Sequence, residues 1–381
     1  MIFNPANILL PRVWELAKWP VVACDQFSSE REYWDRVSGC VGLAPSSLRL
    51  IVPEAYLDDG DAAERIADVG VNAEKYLRGG LFEEYPDSLI LVTRFLRDGR
   101  ARHGIVGAID LAEYDYTGAP ARIRATEKTV PSRLPPRAEA RRGSPLETPH
   151  VMALIEDAEN AIIAPLLSLD LPVLYDIDLM EDSGHLTGRL IDGELAQRVA
   201  AAVEALPGGI KVGDGNHSLA AAKLLYEENR AARYALVELN NVFDPAIDFH
   251  AIHRVVFGVD AAEFTANLKK AAGGDGSYVI KYSSGGISGE VFAKNAPIGD
   301  IIADIQDYID SLGCRVDYIH GDAAFDALAA QPGNVGVYLP TMEKADLFKT
   351  VESRGVFPRK SFSIGEAWDK RFYMECRKIK E

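Results

Sequence analysis

Apolar and polar positions change period repeatedly along this chain, so strand-like and helix-like stretches follow one another from end to end. Val21-Val22-Ala23-Cys24 reads as a short strand, and Ser28 or Ser29, followed by acids and aromatics, reads as a helix start. From Ala62 to Leu77 the spacing is helical, with Ile66, Val69, Val71, Tyr76 and Leu77 supplying an apolar face. The unbroken run from Leu89 to Phe95 predicts a buried strand, Asp98-Gly99 a hairpin turn, and His103 to Ile109 the return strand. His103 reads as a surface or edge histidine. Val151 to Ile155 is a further strand, and a helix is expected from Glu156 to about Leu167. Val173 to Asp178 alternates like a half-buried strand, Asp182-Ser183-Gly184 turns, and Gly188 to Ile191 returns. A helix over Ala196 to Leu206 ends at Pro207-Gly208-Gly209, and Tyr234 to Leu239 is a strand. Beyond it the pattern predicts helices over Ile301 to Leu312 and Lys344 to Glu352, with strands at Val335 to Pro340 and Phe372 to Cys376. The alternation predicts a mixed α/β (α+β) fold. Its segments in chain order are 1–130, 131–258 and 259–381, with no repeat or low-complexity tether between them.

Composition narrows the function classes. A chain of 381 residues is long for one simple core. A net charge of -16 argues against an extended nucleic-acid surface, although a local pocket on an acidic protein can still be positive. Cys24, Cys40, Cys314 and Cys376 lie far apart with no C-x-x-C spacing, which excludes a zinc signature and makes a reducing cytoplasm the expected compartment. The first residues lack the pattern of a signal peptide, and no apolar run approaches the roughly 20 residues needed to span a bilayer.

The chemistry concentrates at Gly213-Asp214-Gly215-Asn216-His217-Ser218. The strand-like Gly209-Ile210-Lys211-Val212 runs into it and the helical pattern from Leu219 to Tyr226 leaves it. A strand that turns into a helix presents free N–H groups and a positive dipole end, a natural anion site. Gly213 and Gly215 permit close backbone approach. Asp214 is a candidate for a metal or a hydroxyl, and His217 for a phosphate or a proton. The plainer alternative is a turn in which Asn216 or Ser218 caps the helix.

Two further stretches complete the candidates. Arg122 to Thr129, with Arg133, Arg137, Arg141 and Arg142, is the strongly basic part of an acidic chain. Arginine forks suit phosphate or carboxylate. Glu127 among them should stay ionised, as a base or as a clamp; a solvated, proline-broken loop is the alternative. Asp25, between a short strand and a helix, is either a pocket residue or a turn carboxylate. His250 and His253 are three apart and would not face one way on a strand, so a metal pair is not expected. His253 and Arg254 are instead expected as anion contacts and His250 as a buried, hydrogen-bonded histidine. The Gly285-Gly286 and Gly289 loop lacks the basic residue of a phosphate loop.

Taken in order, four of these stretches resemble the bacterial and archaeal family catalogued as domain of unknown function 1015, and the resemblance covers most of the chain. Arg124-Ala125-Thr126-Glu127-Lys128-Thr129 stands where the family has an Arg-His-Glu-x-Thr run, and Gly213 to Ser218 where it carries Asp-Gly-His-His-Arg. His253-Arg254 and Pro358-Arg359-Lys360-Ser361-Phe362 match its His-Arg and Pro-x-Lys-Ser patterns. Ala125, Asn216 and Ser218 depart from it; losing an arginine from a phosphate cradle weakens binding unless Arg133, Arg254 or Lys360 replaces it. The Asp-Gly-His-His-Arg signature is similar to the phosphate-binding turn of the ParB and sulfiredoxin-like superfamily, which includes ADP- or ATP-dependent free serine kinases.

That resemblance implies a ParB-like nucleotide-binding core and phosphoryl transfer on serine or phosphoserine. It further implies ATP or ADP with Mg2+ as cofactors and a small phosphate or nucleotide ligand as partner. Gly213, Gly215, Asn216 and Ser218 would then hold phosphate with His217, and Arg124, Arg133, His253, Arg254 and Lys360 would line the anion site. Glu127 or Asp25 would take the hydroxyl proton, and Asp214 would reach the metal. A non-catalytic nucleotide or phosphometabolite sensor, or a phosphoester hydrolase at the same turn, are the alternatives. DNA partitioning fits poorly with the acidic charge.

Overall fold

The computed structural model describes the chain except residues 23–26, 28, 29, 58, 286, 320, 321, 359 and 381. Asp25, Ser28 and Ser29 therefore lie outside the described residues. The expected mixed α/β fold is present. In place of three consecutive segments, the residues gather into two compact units, each built from separated stretches: 1–125 with 129–247 and 365–381, and 126–128 with 248–364. Hydrophobic periodicity reports which face a local stretch buries, not which distant stretch covers it.

The first unit is organised on a large mixed sheet. Its strands run in the order Val173–Asp178, His185–Ile191, Phe82–Phe95, Ala101–Asp110, Tyr234–Asn241, Met152–Ile155, Ile210–Asp214, Ile123–Ala125 and Tyr114–Asp115, with Phe3–Asn4 and Ala6–Pro11 paired off this path. Most neighbours are antiparallel, but Ile210–Asp214 lies parallel to Ile123–Ala125, with Lys211 opposite Arg124. Helix Arg31–Val41 buries Tyr33, Trp34, Val37 and Val41 in the core. Helix Ala62–Arg78 buries Val69, Ala73 and Tyr76, whereas Val71, expected inside, is exposed. Two positions on from Val69 is about 200° around a helix, so both cannot face one core. The helix expected from Glu156 shrinks to Ala164–Leu167. Asp157 accepts from the Ile162 N–H and Asn160 takes a positive φ, and such local side-chain bonding competes with helix.

Charged side chains lie buried on one face of this sheet. Arg94 stands opposite Arg102, Gly104 opposite Asn240, and Val106 opposite Glu238. A Cβ at Gly104 would fall 2.5 Å from Asn240 Nδ2 and 2.7 Å from Glu238 Oε1, so glycine leaves room for that pair. The C-terminal stretch lies along these groups. Trp368 O accepts from Arg94 at 2.6 Å, Asp369 O from Arg102 at 2.5 Å, and Arg371 reaches Glu238 at 3.2 Å and Glu375 at 2.6 Å. Burial pushes the Glu238 carboxyl up, but Arg371 and Arg102 outweigh it and hold it below the ordinary value.

The second unit has an antiparallel five-stranded sheet in the order Ile287–Phe292, Val279–Ser284, Asn334–Tyr338, His253–Phe257 and Val316–Ile319. Phe249–Ala251 pairs separately with Phe362–Ile364. Helices Ala261–Ala272, Ile298–Ser311, Asp322–Ala329 and Lys344–Arg354 belong to this unit. Ile298–Ser311 buries Ile298, Ile301, Ile302, Ile305 and Ile309, a stripe at helical spacing.

Candidate functional site

The strand Ile210–Asp214 ends at Gly215, and helix Asn216–Glu228 starts immediately after it. Gly215 is left-handed at φ +84°, and an added Cβ would come within 3.0 Å of Val151 Cγ2. The turn therefore needs glycine for its conformation and for the close approach of the neighbouring strand. Gly215, which has no side chain to cap with, holds the cap position in place of Asn216 or Ser218. The helix starts before the apolar pattern does, which puts both residues inside its first turn. The positive dipole end of the helix is faced by the Asp214 carboxylate, which accepts from the Gly215 N–H.

Asp214 and His217 tie this turn to its surroundings within the first unit. Asp214 accepts from the Gly215 N–H at 2.8 Å, and its other oxygen lies 3.4 Å from Lys370 Nζ. His217 Nε2 accepts from the Val130 N–H at 3.1 Å, which places the proton of a neutral ring on Nδ1. The basic segment and the turn are thus brought together. Arg124 is the middle residue of the parallel neighbouring strand, opposite Lys211 and not at the turn, buried and donating to Gly118 O at 3.2 Å. His150 packs against Tyr373 with 4.9 Å between ring centres, one residue before the Val151 that meets Gly215. Arg133 is half-buried on the short helix Pro131–Arg133, where its carbonyl accepts from Arg137.

Glu127, Arg254 and Lys360 meet in the second unit. The Glu127 carboxylate accepts from the Lys360 N–H, and the backbones of Thr126, Lys128 and Phe357 exchange hydrogen bonds of 2.7 and 2.9 Å. Lys360 takes a positive φ of 55°, uncommon for a side chain-bearing residue. Arg254 is fully buried and donates to Lys360 O at 2.8 Å, to Ile252 O and to Gln306 Oε1 at 3.1 Å. Burial pulls its guanidinium down to about 10. His253 accepts from the Leu339 N–H through Nδ1 at 3.1 Å and packs between Phe325 and Tyr338. His253 and Arg254, expected as anion contacts, are held here by protein groups: the half-buried histidine by the Leu339 N–H and two rings, the buried arginine by oxygen acceptors. His250 and His253 fall on separate strands. His103, expected at a surface or edge, is half-buried between paired strands, its Nδ1 3.2 Å from Thr93 Oγ1, and burial lowers its pKa.

The donor set does not make a metal site on its own. Asp214 already faces an ammonium, and among the described residues no three His, Cys, Asp or Glu side chains gather to hold an ion. The sequence reading missed Lys370, Val130 and His150. None carries a local signal: Lys370 and Val130 reach the turn through tertiary contact, and His150 packs on Tyr373.

The family described as "Protein of unknown function (DUF1015)" matches residues 10–360. No curated protein matches the chain. Among solved structures, a free serine kinase in complex with AMP is similar at a TM-score of 0.41 and 13% identity, covering 70% of this chain and 90% of that one. SbnI with a C-terminal truncation, from Staphylococcus aureus, gives 0.40 and 11% over 68% and 82% of the two chains. A conserved hypothetical protein from Pyrococcus furiosus gives 0.39 and 12% over 71% and 94%. Among the described residues, no helix is long and apolar enough to cross a membrane.

Proposed function

Since the chain belongs to the DUF1015 family, whose function is unknown, we propose from the site itself that it is a small-molecule phosphotransferase, with serine or phosphoserine as substrate and ATP or ADP as nucleotide. The observation that carries this reading is the strand-to-helix turn at Gly215, where Asp214, His217 and Lys370 gather. Phosphoryl transfer depends on positioning and charge neutralisation more than on covalent chemistry. The turn receives the phosphate on the first N–H groups of the helix. The substrate hydroxyl oxygen bonds to the terminal phosphorus, the bond from phosphorus to its bridging oxygen breaks, and the hydroxyl proton passes to solvent. Mg2+ would enter with the nucleotide, and no step here runs through it. The motif resemblance, through its ParB-like turn, supports serine as the hydroxyl carrier.

A non-catalytic sensor of the same ligands is the second reading. It is favoured by Asp214 facing Lys370, and by the Glu127 carboxylate being occupied by the Lys360 backbone. A thermal-shift panel of ATP, ADP, AMP, pyrophosphate, serine and phosphoserine, with and without Mg2+, tests both. Ligand at 100 times Kd stabilises by about 2.7 kcal/mol. A nucleotide shift that deepens with serine or phosphoserine, followed by phosphate transfer, supports the enzyme. A shift without transfer over long incubation supports the sensor, phosphate release without an acceptor supports a hydrolase, and no shift with any phosphorylated compound sinks all three.

A further inference from the structure

The buried face of the large sheet holds two guanidiniums side by side. Arg94 and Arg102 stand directly opposite on neighbouring antiparallel strands, so their side chains leave the sheet on the same face. They are 0% and 2% exposed. Each uses a single nitrogen for hydrogen bonds: Arg94 Nη2 donates to Ser183 O and Trp368 O, and Arg102 Nη1 to Asp369 O. The other four nitrogens, Arg94 Nε and Nη1 and Arg102 Nε and Nη2, have no hydrogen-bond acceptor among the described residues. The buried hydroxyl of Ser183, whose carbonyl Arg94 holds, makes no hydrogen bond there either.

The carboxylates nearby are engaged elsewhere. Arg371 lies 3.2 Å from Glu238 and 2.6 Å from Glu375, which also accepts from the Tyr175 hydroxyl at 2.5 Å. Asp369 Oδ2 accepts from the Glu366 N–H at 3.1 Å. From Arg102 the approach to Glu238, Nε to Oε1, is 3.9 Å, beyond a hydrogen bond. Burial, with Arg102 close by, pulls the Arg94 guanidinium down to about 9. Two like charges are thus packed together with four donors unbonded, and buried donors and charges call for an acceptor of opposite sign.

We propose that Arg94 and Arg102 together bind a small monovalent anion of halide type, buried between their guanidiniums beneath the C-terminal stretch. Its charge offsets the repulsion of the cation pair, and a halide accepts N–H donors from any direction. Both guanidiniums are closed to solvent, and the Glu238 carboxylate near them disfavours a doubly charged ion such as phosphate. Trp368 O and Asp369 O are held by the same guanidiniums, so the ion ties the C-terminal stretch to the sheet. That stretch carries Lys370 to Asp214.

The test follows urea unfolding of the full chain as bromide replaces gluconate at constant ionic strength, for the natural chain and for R102M. With one site, the unfolding equilibrium constant falls about tenfold for each tenfold rise in bromide beyond its Kd, and R102M loses that dependence. A crystal of the natural chain grown in bromide shows anomalous scattering between the two guanidiniums. Unfolding that ignores bromide, an equal dependence in R102M, or a water molecule at that position overturns the proposal. Anomalous scattering there without the stability dependence means an adventitious ion only, and overturns it as well. Should R102M fail to fold, R94M carries the same comparison; if neither folds, the bromide dependence and the crystal of the natural chain decide.

Discussion

Two clusters of motif residues differ in what their side chains do. In the second unit, the side chains of Glu127 and Arg254 both bond to the Lys360 backbone, and the arginine is buried completely. In the first unit, Asp214, Gly215 and His217 are half-buried at the strand-to-helix turn. The chain passes from one unit to the other and back within residues 125–129. Both clusters carry residues that a motif reading assigns to a ligand; Glu127 and Lys360 are half-buried like Asp214 and His217, and the contrast lies in Arg254, which is buried completely. A guanidinium surrounded by carbonyl oxygens is a fold determinant, whereas a partly exposed imidazole and carboxylate at a dipole end are chemistry in reserve.

The largest expected effect falls on the charged layer that braces the turn. Glu238→Ala removes a buried carboxylate that faces both Arg371 and Arg102 and leaves Arg371 only the carboxylate of Glu375, and breaking a buried pair costs about 3–5 kcal/mol. Urea unfolding at pH 7 reads it. Because the folded carboxyl titrates below its ordinary value, its stabilisation is full above that value and lost as pH falls through the folded one. Acid unfolding curves should therefore converge for the natural chain and the variant at low pH. Curves that stay parallel would remove the linkage.

Arg254→Met tests the contrast directly. Loss of its hydrogen bonds to two carbonyls and Gln306 should cost about 3 kcal/mol, at roughly 1 kcal/mol or more for each partner left buried. A variant as stable as the natural chain, with ADP binding abolished, would turn Arg254 from a clamp into a ligand contact. Gly215→Ala should cost about 1–2 kcal/mol from the left-handed conformation alone, with Val151 adding to it. Phosphate or ADP affinity should fall as well, because the first turn of the helix shifts. Unchanged melting would mean the turn relaxes freely.

The smallest change in stability is expected for His217→Ala. It removes one hydrogen bond from Val130, about 0.5–1.5 kcal/mol, so the melting temperature stays nearly level while nucleotide binding or turnover is lost. A large fall in melting temperature with binding intact would make this histidine structural, and the two clusters would then be alike.

The sequence by itself determined the element types and the place of the turn. The α/β alternation, the hairpin at Asp98-Gly99 and the strand–turn–helix around Gly215 are local, since residue period and glycine conformation act over a few positions. The convergence of the basic segment on the turn through Val130 and His217, the burial of Arg254, and the arrival of Lys370 beside Asp214 were decided by tertiary structure. A lysine or arginine reads alike in sequence whether it faces water or a carbonyl. Its role follows from burial and from partners brought by sheet pairing across most of the chain.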